Sequence, residues 1–221
     1  SSLNGLLQEA VQEVYNADLV QQGENVLQLE IARSTLIKFL DKERAELQQG
    51  TDAPWIEALE QDLNSSHLKT AAGDLAFRGV ADRREQSGGI PRVVDYKTGK
   101  VEAKELRLNN DWTVQLEKGD HGKALQLVVY ATMVLASLDS RAREHGVLAA
   151  IRSGRNVREG LLHLEIDGQR LFQPSHAETF VHWLAEQLVS YAAMDHHIRH
   201  NTKSQYCSHC VVLDQPESYT F

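Results

Sequence analysis

A pair of glycines constrains this chain more tightly than any other feature. Gly88-Gly89 separates two β-prone runs, Gly79 to Ser87 and Ile90 to Lys97, and both positions accept the positive φ of a two-residue hairpin turn. With those residues as the loop, Ser87 faces Ile90, and the register continues until Asp82 stands opposite Asp95. Opposed residues on an antiparallel pair have Cβ atoms about 5 Å apart, where like charges repel. Period-2 alternation puts Asp95 and Lys97 on one face of their strand. Two carboxylates and an ammonium therefore converge. Lys97 supplies one compensating charge, and a divalent ion held by hard oxygen ligands is the natural second. Such an ion stabilises charge on a phosphate and lowers the pKa of a water. A register slipped by one residue, or a bulge, would leave a solvated hairpin instead.

Gly79-Val80-Ala81-Asp82, Asp95-Tyr96-Lys97-Thr98-Gly99 and Gln126 with Tyr130 follow one another along the chain. Together these blocks resemble the PD-(D/E)XK nuclease superfamily, and within it the RecB/AddB-like branch, whose pattern is G-x-x-D, D-Y-K-T-G, Q-x-x-x-Y. The resemblance implies an α/β fold with a restriction-endonuclease-like core: a small mixed sheet flanked by helices, with an N-terminal helical segment. It implies Mg2+ or Mn2+ held by Asp82, Asp95 and the Tyr96 carbonyl, with Lys97 orienting or helping to deprotonate the attacking water. Gln126 and Tyr130 border the site and steady the substrate, and Arg83 is expected to join them. The branch usually carries a histidine on an early helix. Here Gly5 and Tyr15 fit that frame, but Gln8 fills the histidine slot, a weaker metal ligand through its amide oxygen.

The activity so implied is a metal-dependent deoxyribonuclease, most simply an exonuclease, in DNA repair or recombination. Its substrate would be DNA that is single-stranded or has an end, and its partner a helicase domain or subunit. Two readings compete: a catalytically weakened module of the same fold that binds nucleic acid, and a protein-interaction domain that docks on a helicase.

The net charge of −8 argues against a nonspecific nucleic-acid coat, since phosphate contacts need Lys and Arg. A local basic rim can still form within an acidic whole; Arg78, Arg83, Arg84, Arg92, Lys97, Lys100, Lys104 and Arg107 surround the proposed centre. With 42% hydrophobic and 24% charged residues, the chain reads as an ordinary cytoplasmic globular protein with no membrane span. It starts at Ser1 rather than at methionine, as an excised part of a larger protein would.

One domain over residues 1–221 is expected, with a helical segment to residue 70, a sheet core over 71–170 and a C-terminal helix and tail over 171–221. Apolar spacing predicts helices over about 3–22, 25–48 and 54–63, the last opened by Pro54. Glu60 on that third helix is a possible outer carboxylate. Residues 101–119 read as a polar loop, and a strong helix runs from about Gly122 to Leu138. Strands are expected over 145–151 and 161–166. The basic loop Arg152 to Glu159 between them is placed to touch a phosphate backbone. Ser175 and Glu178 suggest a capping box for a last helix. Cys207 and Cys210 are the only cysteines. They cannot supply a four-cysteine iron–sulfur cluster, so none is expected; a zinc site with nearby histidines or two free thiols remain.

Overall fold

The computed structural model describes residues 3–15, 22–50, 54–64, 68–70, 73–193, 197–198 and 219–220. Helices α1 (Leu3–Val14) and α2 (Glu24–Gln49) lead into strand β1 (Trp55–Asn64) and the short pair β2 (Leu68–Thr70) and β3 (Gly73–Leu75). The long hairpin β4 (Arg78–Ser87) and β5 (Ile90–Lys97) follows. Next come β6 (Arg107–Leu108), α3 (Trp112–Glu117), α4 (Gly122–Ser137) and α5 (Ser140–Glu144). The last elements used below are β7 (Val147–Ser153), β8 (Leu161–His163), β9 (Glu165–Ile166), β10 (Leu171–Phe172) and α6 (Pro174–Ala193). The main sheet runs in the order β1-β4-β5-β7-β10, with β8 also paired to β7. Only β5 and β7 are parallel in it; the other pairs are antiparallel. This is the expected mixed sheet flanked by helices.

The hairpin turns where the glycines dictate. Gly88 and Gly89 have φ of 59° and 78°, and the ladder keeps the expected register from Ser87↔Ile90 to Arg83↔Val94. Pro91 sits one residue before the β5–β7 ladder begins at Arg92, so its missing N–H interrupts nothing there.

Residues 55–64 form an edge strand, not the expected helix. A register shift between Ile56 and Ala58 adds one residue to β1 against β4. Ile56 and Leu59 then pair with Glu85 and Arg83, two positions apart on one side of β4. A spacing of three that reads as helical is thus produced by a bulged strand. The sheet accordingly begins at Trp55, inside the segment expected to be helical.

One face of the sheet is apolar. Helix α4 buries Ala124, Leu127, Val128, Ala131, Thr132, Met133, Val134 and Leu135, around most of its circumference, as a helix between two layers must. Val93, Ala149 and Ile151 of the sheet and Phe180 of α6 share this core. Each fully buried aliphatic side chain contributes about 1.5–3 kcal/mol. The 101–119 stretch is not a polar loop. It folds into a short turn, β6 and α3, and sends Val101, Leu106, Leu108, Trp112 and Leu116 into the core. Helix α6 starts at Pro174 rather than on a Ser175 cap. Leu188 and Tyr191 in its later turns are exposed.

The opposite face is ionic and carries α2, none of whose residues is buried. Arg83 Nη1 reaches Glu43 Oε1 at 2.6 Å, and Arg152 Nη2 reaches Glu46 Oε2 at 2.7 Å. Phe39 meets the Tyr96 ring edge-on at 5.5 Å, and the Arg152 guanidinium lies 5.4 Å over Phe39. Beneath them Glu85, its side chain fully buried, is gripped by Arg83 and Arg92. Of the apolar residues on α2, Leu36 and Leu40 are exposed.

Removing one member of a buried ionic group leaves the others uncompensated, which destabilises by about 3–5 kcal/mol. Glu85→Ala is expected to lose that much stability in urea denaturation. A loss below about 1 kcal/mol would show that Arg83 and Arg92 do not depend on it.

Candidate active site

The β4–β5 ladder stops at Arg83↔Val94, one step short of the two aspartates. Asp82 turns its carboxylate onto the neighbouring strand's backbone, where Oδ2 accepts the Tyr96 N–H at 2.6 Å. Asp95, 2% exposed, remains held by the parallel β7 ladder, as do Tyr96 and Lys97 through Arg152 and Ser153. Beyond β7, the Gly154 N–H donates to the Lys97 carbonyl at 2.7 Å. The catalytic-looking end of β5 therefore has a strand on one side and a single side chain on the other.

Helix α4 completes the group. Lys97 Nζ lies 2.9 Å from Asp95 Oδ2 and donates to Gln126 Oε1 at 2.8 Å. Gln126 Nε2 donates to Asp95 Oδ1 at 3.1 Å and to the Tyr130 hydroxyl at 3.0 Å. The amide can face only this way, because Lys97 needs an acceptor and Asp95 a donor. Its oxygen and both N–H groups are engaged within the protein. The i, i+4 spacing that put Gln126 and Tyr130 on one helical face thus becomes a hydrogen-bonded chain from Tyr130 to Asp95.

Gly79, three residues before Asp82, is needed by packing. A Cβ there would stand 3.2 Å from Cε1 of the Tyr130 ring, so any larger residue would require the phenol to shift by a few tenths of an ångström to keep its place against β4. Sequence spacing identified Gly79 as part of a motif but could not name the ring that covers it.

Burial raises the Asp95 carboxyl above its usual range. The hydrogen bond and charge of Lys97 oppose that shift, and the charge of Asp82 adds to it. Asp95 Oδ2 is buried and has no hydrogen bond of good geometry despite its closeness to Lys97 Nζ. Asp82 uses one oxygen for Tyr96 and leaves the other for a further partner. This donor set of two carboxylates beside a main-chain carbonyl suits Mg2+ or Mn2+, which need few protein oxygens and keep several waters. Among the described residues, no three His, Cys, Asp or Glu side chains form a ready-made metal cage.

Other expected members stand elsewhere. Arg83 is buried on the ionic face, bound to Glu43, Glu85 and the Tyr96 hydroxyl, so it is not among the groups around Asp95. The alternation that brings Asp95 and Lys97 together sends their strand neighbours the other way. Gln8 is exposed beside a groove between α1 and α2 lined by Asn4, Leu7, Leu29, Glu30 and Arg33, a lining that includes neither Asp82 nor Asp95. Glu60 is on β1, exposed, with a left-handed φ of 48°; the pairs on either side of it put it directly opposite Asp82 of β4. The expected basic rim is largely spent on internal pairs. Arg84 binds Glu57, Arg92 binds Glu85, Lys100 and Lys104 bind Glu102, and Arg107 binds Glu165. Arg155 and Arg158 are exposed on the loop that follows β7. Cys207 and Cys210 lie outside the described residues.

A model of the PD-(D/E)XK nuclease superfamily matches residues 1–214. No curated protein matches the chain.

An acid whose folded pKa exceeds its unfolded value holds its proton more tightly in the folded chain. Stability then falls as pH rises from the unfolded value, about 3.9, through the folded one. The metal-free wild type is therefore expected to lose melting temperature relative to Asp95→Asn as pH rises from about 4 to about 7. Parallel melting curves for the two proteins across that range would contradict the burial argument.

Proposed function

The chain belongs to the PD-(D/E)XK nuclease superfamily, and we propose that it is a divalent-metal-dependent deoxyribonuclease of the RecB/AddB-like branch. The superfamily generally hydrolyses phosphodiester bonds. The observation that carries the reading here is the hydrogen-bonded group Asp95–Lys97–Gln126–Tyr130 beside Asp82, at the point where β4 and β5 part.

In this reading Asp82, Asp95 and the Tyr96 carbonyl hold Mg2+ or Mn2+, which supplies positive charge against the phosphate oxygens. Lys97 opposes the upward shift that burial gives the Asp95 carboxyl, and the Gln126 N–H donates to the same group. Lys97 has two of its three N–H donors directed at Asp95 and Gln126. The third is free to orient the attacking water or to meet charge developing on the phosphate. Gln126 acts within the site: it fixes the ammonium and the carboxylate in one geometry. The Tyr130 oxygen already accepts from Gln126, so its own O–H is left to donate to a substrate oxygen. Lys97, Arg155 and Arg158 gather positive charge at the same end of the sheet, the Arg155 loop being tied to β5 through Gly154.

The substrate proposed is DNA with an end or a single-stranded segment, and the setting is repair or recombination beside a helicase. Because the chain is acidic overall, binding rests on a few local cations, so it should weaken with salt at a slope set by that small number of phosphate contacts.

Labelled single- and double-stranded DNA incubated with Mn2+ tests this. Cleavage by the wild type is expected, reduced by at least about 100-fold in Asp95→Ala and in Lys97→Ala. DNA binding without cleavage in any divalent metal would contradict the enzyme and leave a binding module of the same fold.

A further inference from the structure

The ionic face of the sheet lies directly behind the active site, and one residue belongs to both. Tyr96 sits between Asp95 and Lys97, so its side chain points away from theirs. Its backbone N–H is spent on Asp82. Its ring, half-buried, is seated edge-on against Phe39 of α2 at 5.5 Å and 84°. Its hydroxyl accepts a hydrogen bond of 3.3 Å from Arg83, which is itself anchored to Glu43 of α2 and to Glu85. Across the parallel ladder its neighbour is Arg152, which reaches Glu46 of α2 and covers Phe39.

This seat matters because β5 has no β4 ladder beyond Val94. A strand end paired on one side only can twist about the remaining ladder, and a rotation at residue 96 moves residues 95 and 97 together. We propose that Tyr96 is a positioning residue: its ring, locked by Phe39 and Arg83, lets helix α2 fix the strand end that presents Asp95 and Lys97 to Gln126. The inference rests on the nuclease reading for its catalytic consequence, but its structural content stands without it. A bare β-forming residue under an ordinary amphipathic helix would have apolar neighbours. Tyr96 instead has two arginines and a glutamate around it, on a helix with no buried residue of its own. The arrangement is built for orientation more than for burial.

Phe39 lies on α2 and touches none of the groups in the active site. Three variants separate the possibilities: Phe39→Leu, which removes the ring edge; Tyr96→Phe, which keeps the ring and loses the hydroxyl; and Gly89→Ala, which strains the distant hairpin turn and serves as a control for stability loss. Two readouts are taken, DNA cleavage as a function of Mn2+ and backbone hydrogen exchange in the metal-free protein. Phe39→Leu is expected to lower kcat by about tenfold or more, to raise the Mn2+ requirement, and to leave KM for DNA nearly unchanged. It should also speed exchange at Asp95 to Thr98 while α4 stays protected. Tyr96→Phe should fall between it and the wild type. Gly89→Ala should show neither local effect at a comparable loss of melting temperature.

Unchanged exchange at Asp95 to Thr98 in Phe39→Leu overturns the proposal. So does a loss of protection no different from that of Gly89→Ala. If the wild type fails to cleave, the exchange result still decides between the two outcomes, and the failure falls on the nuclease reading alone.

Discussion

The structure turns on one buried carboxylate. Asp95 sits at the end of a strand, 2% exposed, with an ammonium two residues away and an amide from a helix crossing above. A lone carboxylate so placed would take up a proton. Lys97 counters that tendency and Asp82 adds to it. The result is a site with incomplete charge compensation, which a bound cation would complete. Most of what surrounds it serves to keep it so: glycines turn the hairpin, Gly79 admits Tyr130, and Gly154 ties down the Lys97 carbonyl.

The two faces of the sheet are held by different physics. On the α4 side, aliphatic burial supplies stability and leaves little freedom. On the α2 side, Glu43, Glu46 and Glu85 face Arg83, Arg92 and Arg152 in a layer of ion pairs and two rings packed edge-on. Buried ion pairs contribute little net stability once desolvation is counted, yet breaking them singly is costly. Such a layer sets orientation, and it lies behind the strand whose orientation the chemistry needs.

Much of the site was legible from sequence because it depends on local rules. A Gly-Gly turn fixes register, a period of two fixes faces, and a spacing of four fixes the Gln126–Tyr130 pair. Features that depend on tertiary context were not legible. The bulge in β1 imitates a helical repeat, so a strand reads as a helix. Arg83 stands beside Asp82 in sequence and looks like a substrate contact, but strand alternation sends it to the far face. Leu106, Leu108 and Trp112 are separated by polar residues with no clean period, and only the fold shows that all three are buried. Gln8 rests on a motif frame alone, and on α1 it faces a groove shared with Leu29, Glu30 and Arg33.

In the proposed reading, Asp82 and Asp95 form one binding place for one doubly charged ion. Titrating the chain with Mn2+ and counting bound ions by electron paramagnetic resonance tests it most directly. The account predicts saturable binding of one tightly held ion per chain, lost in both Asp82→Asn and Asp95→Asn while each variant stays folded. Binding that survives both substitutions, or no saturable binding to the wild type, would contradict it.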